Sequence, residues 1–146
     1  MRLALALLGF WMAWFAIVTA TNVLGGLKAA AILKPSWRFA SANYEAIVKA
    51  TEKYSPPRWV PAFLFAAVIA WQAATAVLLA RAVALSLAHD AIDLDAATLA
   101  LGSGIALWGA FMLADEITVK YEFERTHELL FIAQLATLIA LHVLPG

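Results

Sequence analysis

Among the polar side chains that interrupt otherwise apolar stretches of this sequence, six are candidates for chemistry: Asn22, Gln72 with Thr75 one turn later, Ser103, Gln134 and His142. In a non-aqueous surrounding such groups are costly and mark functional positions by default. Gln72 and Gln134 are the two primary amides nearest the middle of their stretches. They are expected either to meet each other or to hydrogen-bond the carbonyl of a ligand such as a quinone, with Trp108 as a third residue of such a site. The competing reading is a plain interhelical hydrogen bond, which contributes only about 0.6 kcal/mol on average in a membrane bundle.

Charged residues concentrate late in the chain: Asp115, Glu116, Lys120, Glu122, Glu124, Arg125, His127 and Glu128. Glu124 and His127 have the Glu-x-x-His spacing of di-iron carboxylate bundles. Such a centre needs two of these motifs and two further glutamates aimed into the core. One motif at a membrane edge points instead to a solvated helix surface, with Glu116–Lys120 and Lys120–Glu124 as i,i+4 pairs. Glu116, Glu124, Arg125 and His127 then form a surface on which a partner can dock, and no metal is expected.

Much other chemistry is excluded. The 146 residues contain no cysteine, which removes disulfides, thiol catalysis and cysteine-ligated metals. Ten Lys and Arg balance ten Asp and Glu, so nothing would track a nucleic-acid backbone. A bis-histidine haem needs two histidines facing each other at one depth, and His89, His127 and His142 are spaced to fall at different levels. No serine, histidine and carboxylate share a pocket that the sequence can define, and no phosphate loop is present. The expectation is a protein that is not an enzyme and carries no resident cofactor, with a quinone or a lipid as the ligand class open to it.

The elements that position these residues follow from where charges are missing. Of the chain, 64% is hydrophobic and 14% charged, against about 25% charged in a soluble domain. Uncharged runs of 25, 22, 19 and 18 residues lie after Arg2, Arg58, Asp95 and Glu128. About 20 apolar residues cross a bilayer as a helix, and in lipid the backbone must be satisfied within its own segment. The sequence therefore predicts a single-domain, all-α bundle of four transmembrane helices, at about residues 3–25, 60–84, 96–115 and 127–145. A cleavable leader would end near Val18-Thr19-Ala20, but the apolar stretch is longer than such a leader needs, so a retained helix is expected.

Gly25-Gly26 is read as the end of the first span. Within the first connector, Tyr44, Ile47, Val48, Thr51 and Tyr54 form one stripe, with Glu45, Lys49, Glu52 and Lys53 opposite. That predicts an amphipathic helix over 43–54, capped by Ser41 or Asn43 and stopped by Pro56-Pro57. It lies either on the membrane surface or over the mouth of the bundle. Trp37, Trp59 and the neighbouring Tyr44 and Tyr54 suit an interfacial aromatic belt. The last two spans are expected to run past the membrane and reverse between Tyr121 and Thr126, with Thr126 as N-cap. Ala66, Ala70 and Ala74, and Gly102, Ala106 and Ala110, form small-residue stripes suited to close helix approach. Eight of the ten Lys and Arg fall in the first and third connectors; the positive-inside rule then puts both termini outside.

Trp14-Phe15-Ala16 through Thr21-Asn22, Trp71-Gln72-Ala73-Ala74-Thr75, and Leu107-Trp108 with Phe111-Met112 and Glu116 resemble a bacterial family of predicted small integral membrane proteins of unknown function. The resemblance implies the four-span layout and an inner-membrane location, and it implies no activity. It also implies a glutamate where Gln72 stands and a basic second connector where this one is acidic. Both departures favour a structural over a transport role. Two functions are therefore expected. The first is a non-catalytic accessory or assembly subunit of a larger respiratory or photosynthetic membrane complex, with Phe10, Trp11, Trp14 and Phe15 facing lipid or partners. The alternative is a quinone-, lipid- or pigment-binding bundle that uses Gln72, Trp108 and Gln134.

Overall fold

The computed structural model describes residues 1–143. Five α-helices follow in order: α1 (Arg2–Ala29), α2 (Asn43–Thr51), α3 (Trp59–Ala88), α4 (Leu94–Thr118) and α5 (Glu124–Val143), with a 3-10 turn at Glu52–Tyr54. Four of them, α1, α3, α4 and α5, are long and apolar enough to cross a membrane. They coincide with the four expected spans within a few residues at each end; the last two residues of the fourth expected span lie outside the described part. The long helices alternate in direction. α1 packs along α3, α3 along α4 and α4 along α5.

Each long helix is apolar on all sides, and no more than 33% of any apolar window is buried. Phe10 and Ile17, Phe63 and Val77, Leu113 and Ile117, and Ile132 and Ile139 all point outward. Such surfaces are unfavourable in water and suit lipid. What distinguishes the inward face is polarity and size. Buried positions recur at spacings of three and four: Ala4, Leu8, Trp11, Phe15, Asn22 and Gly25 on α1; Pro61, Phe65, Gln72, Thr75, Leu79, Ala82 and Ser86 on α3; Gln134, Thr137 and Leu141 on α5. This is the seam of left-handed bundle packing. Every buried polar residue sits on it.

The apolar core occupies the half of the bundle beside the short α3–α4 turn. There Leu8, Trp11 and Phe15 pack with Leu79, Ala82, Ala97, Ala100, Leu101 and Leu141. The Trp11 indole N–H donates to Thr137 Oγ1 at 3.0 Å and ties α1 to α5 in this half. Ser86 Oγ donates to Ala82 O and accepts from the Asp93 backbone, fixing the turn. Asp93 caps α4 by accepting from the Ala96 N–H at 2.9 Å. Pro61 falls in the first turn of α3, where its missing N–H costs no helical bond.

Several expected boundaries move. α1 does not stop at Gly25-Gly26. It continues to Ala29 and closes with Ala31 in left-handed geometry, the Ile32 and Ala31 N–H groups bonding Leu27 O and Lys28 O. Gly25 is needed for close approach: a Cβ there would lie 2.7 Å from Ser41 O. α2 is capped by neither Ser41 nor Asn43, because its N-cap is Ala42, with no side-chain bond. It packs against α1 and α3, over the bundle mouth. Val119, in left-handed geometry at φ 53, ends α4 before Lys120. The helical i,i+4 pairs through Lys120 therefore do not form, and α5 already begins at Glu124, with Thr126 inside it.

The stripe of Ala66, Ala70 and Ala74 faces outward, and a Cβ on Gly102 would meet nothing within 4 Å. The small residue that permits close packing on α4 is Gly104, against Gln134. The α1 aromatics also divide. Trp11 and Phe15 turn into the core, while Phe10 is exposed.

Candidate functional site

In the connector half, α1 and α5 are not joined by a bond like that of Trp11. A cavity of about 670 Å³ opens there among α1, α3, α4 and α5, beneath α2. Its volume lies within the range of roughly 300–1,000 Å³ typical of small-molecule sites. Trp14, Phe65, Trp108 and Phe111 supply aromatic walls, and Gln72, Asn22 and His127 supply polar atoms. Counting about 1.5 Å per helical residue, Gln72 lies about 20 Å along α3 from the connector end, near mid-membrane depth. At the mouth, Lys49 of α2 pairs with Glu122 of the α4–α5 turn at 3.5 Å. Both side chains are largely exposed, so this pair adds little to the seating of α2.

A directional chain of hydrogen bonds sets the polarity of the inner wall. The Ser41 hydroxyl donates to Asn22 Oδ1 at 2.7 Å. Asn43 Nδ2 donates to the same oxygen at 2.8 Å. With Oδ1 occupied by two donors, Asn22 turns Nδ2 to Gln72 Oε1, also at 2.8 Å. The amide orientation of Gln72 follows. Its oxygen is taken, and its Nε2 hydrogens have no partner among the described residues. Gln72 is 2% exposed and lines the cavity. The Trp14 indole N–H on the same cavity is buried and also unpartnered. The inner wall therefore offers the cavity a hydrogen-bond donor at Gln72 Nε2.

A second polar feature joins α4 and α5. His127 Nδ1 lies 2.6 Å from Asp115 Oδ2, and Asp115 is buried, at 8% exposure. The imidazole stacks within 4.9 Å of Phe111 and 6.5 Å of Trp108 and lines the cavity. Sequence spacing predicts His127 on an outer docking surface beside Glu124. Its partner is Asp115 instead, and the ring turns inward. Glu116 and Arg125 are exposed, and Glu124 is half-buried. The Glu116 carboxylate, beside Tyr121 in this wet turn, holds the phenol above its usual pKa.

The two glutamines do not meet. Gln134 lies behind Trp108 and outside the cavity, accepting the indole N–H at 2.8 Å. Its role is to orient Trp108, and its own Nε2 is left buried without a partner. Thr75 and Ser103 pair with each other at 2.8 Å, joining α3 to α4. His142 pairs with Thr98 at the far end of the bundle. Among the described residues, no three His, Asp or Glu side chains gather into a metal-binding group.

Asn22 is one of the six polar candidates, whereas residue type alone does not single out Asp115 and Trp14 as part of this region. The signal for Asp115 was its register: Gly104, Trp108, Phe111 and Asp115 lie at i, i+4, i+7 and i+11, the inward seam of α4. In comparisons with known proteins, no family model, curated protein or solved structure matches this chain.

Proposed function

We propose that this protein holds a small, largely apolar ligand with an oxygen-bearing head, of the quinone or lipid type, between its helices. The observation that supports this most is the unmatched amide of Gln72, held with fixed polarity in a cavity walled by aromatic side chains. No described residue accepts from the Gln72 Nε2 hydrogens, so a ligand carbonyl would find a donor there. Gln72→Leu removes the donor while keeping the volume similar. Purified in lipid nanodiscs and extracted with solvent, the wild type should release bound quinone or lipid that the variant lacks. Equal retention by the two would remove the basis of this reading.

A second reading, an accessory or assembly subunit of a larger membrane complex, rests on the outward stripe of Ala66, Ala70 and Ala74. Small residues on a lipid face let another helix approach closely. A protein that migrates alone in mild detergent and cross-links to nothing would count against it. In either case the proposed setting is a bacterial inner membrane. The connector end is proposed to be cytoplasmic, since eight Lys and Arg cluster there, against Arg2 and Arg81 toward the other end.

A further inference from the structure

The pairing of His127 with Asp115 decides which form of ligand the cavity accepts. A carboxylate only accepts hydrogen bonds, so Asp115 requires a proton on His127 Nδ1. In the neutral imidazole the other nitrogen is then an acceptor, because the hydrogen bond at one ring nitrogen sets the state of the other. His127 Nε2 has no partner among the described residues, and the ring lines the cavity. The cavity thus carries an acceptor on α5 and a donor on α3, at Gln72 Nε2.

A quinone presents acceptors at both ends and would set an oxygen lone pair against His127 Nε2. A hydroquinone presents hydroxyls. One donates to Nε2, and the oxygen of the other accepts from Gln72. The aromatic walls of Trp108, Phe65 and Phe111 suit its flat ring. We infer that this is a hydroquinone-selective site, with His127 as the hydroxyl acceptor and Asp115 as the residue that fixes its tautomer. The inference rests on the ligand-holding reading above and sharpens it to one redox form.

The test uses the full-length protein in nanodiscs, with decylubiquinone and its hydroquinone as probes. Spectroelectrochemical titration of the bound couple reads the preference directly. One hydrogen bond gained in the reduced form corresponds to up to about tenfold tighter binding, which raises the midpoint of this two-electron couple by about 30 mV over the free couple. Asp115→Asn can donate to Nδ1 and move the proton to Nε2, so its preference should vanish or invert. His127→Phe should lose the preference while Gln72 still retains the ligand. An unshifted or lowered wild-type midpoint with the probe bound would overturn this inference and leave the ligand-holding reading standing. Binding of neither form would overturn both. The wild-type measurement decides the matter even where a variant fails to fold.

Discussion

Gly25→Ala is the sharpest probe of how the first connector is held. The added Cβ would lie 2.7 Å from Ser41 O and 2.8 Å from Ser41 Oγ, and 3.4 Å from Ser41 N. Ordinary contact begins near 3.4 Å, so the Ser41 backbone must retreat by about 0.7 Å or more, and overpacking of this kind costs about 1–3 kcal/mol. Retreat also strains the Ser41 N–H bond to Thr21 O and the Ser41 hydroxyl bond to Asn22. At about 0.6 kcal/mol for each polar contact in a membrane bundle, the expected loss totals about 2–4 kcal/mol. Two other glycines calibrate the measurement. At Gly26 a Cβ meets only the Phe65 ring edge at 3.3 Å, and at Gly102 it meets nothing. Unfolding by a denaturing detergent, followed through tryptophan fluorescence, should rank the variants with Gly102→Ala near wild type, Gly26→Ala mildly weaker and Gly25→Ala weakest. A Gly25→Ala protein as stable as Gly102→Ala would refute the close approach of connector to helix.

The remaining expectations concern single contacts. Val119 adopts left-handed geometry that a β-branched residue rarely tolerates, so Val119→Gly should stabilise the α4–α5 turn by about 1 kcal/mol in the same unfolding assay. Thr137→Val removes the acceptor of the Trp11 N–H and should cost about 1 kcal/mol; a double-mutant cycle with Trp11→Phe should return a positive coupling energy. Because the Glu116 carboxylate raises the Tyr121 phenol, Glu116→Gln should lower the midpoint of the ultraviolet tyrosinate titration. An unmoved midpoint would dissociate the two residues.

Length and hydropathy were enough to read the helices. A run of about 20 uncharged apolar residues in lipid has one way to satisfy its backbone, and α1, α4 and α5 begin and end within a few residues of the charge gaps, while α3 runs past Arg81 to Ala88. Helix ends were less legible. Gly25 reads as a terminator in one dimension and proves to be a contact, while Val119 and Ala31 terminate helices from residue types that give no such signal. The turn after α4 came early because the 6→1 bond from Lys120 N to Asp115 O closes it.

Function lay further from the sequence, for a physical reason. In water an apolar stripe shows which face of a helix is inward; in lipid both faces are apolar and that contrast vanishes. The polar residues carry the information instead, and Asn22, Gln72, Thr75, Asp115, Gln134 and Thr137 are all buried on inward seams. The sequence by itself determined that these groups lie along membrane-length helices and that no thiol or cysteine-ligated metal chemistry is available. Only the tertiary structure decided the pairing, because a partner choice depends on the depth and rotation of antiparallel helices, which local periodicity does not encode. That choice gave Gln72 to Asn22, gave Gln134 to Trp108 and turned His127 inward to Asp115.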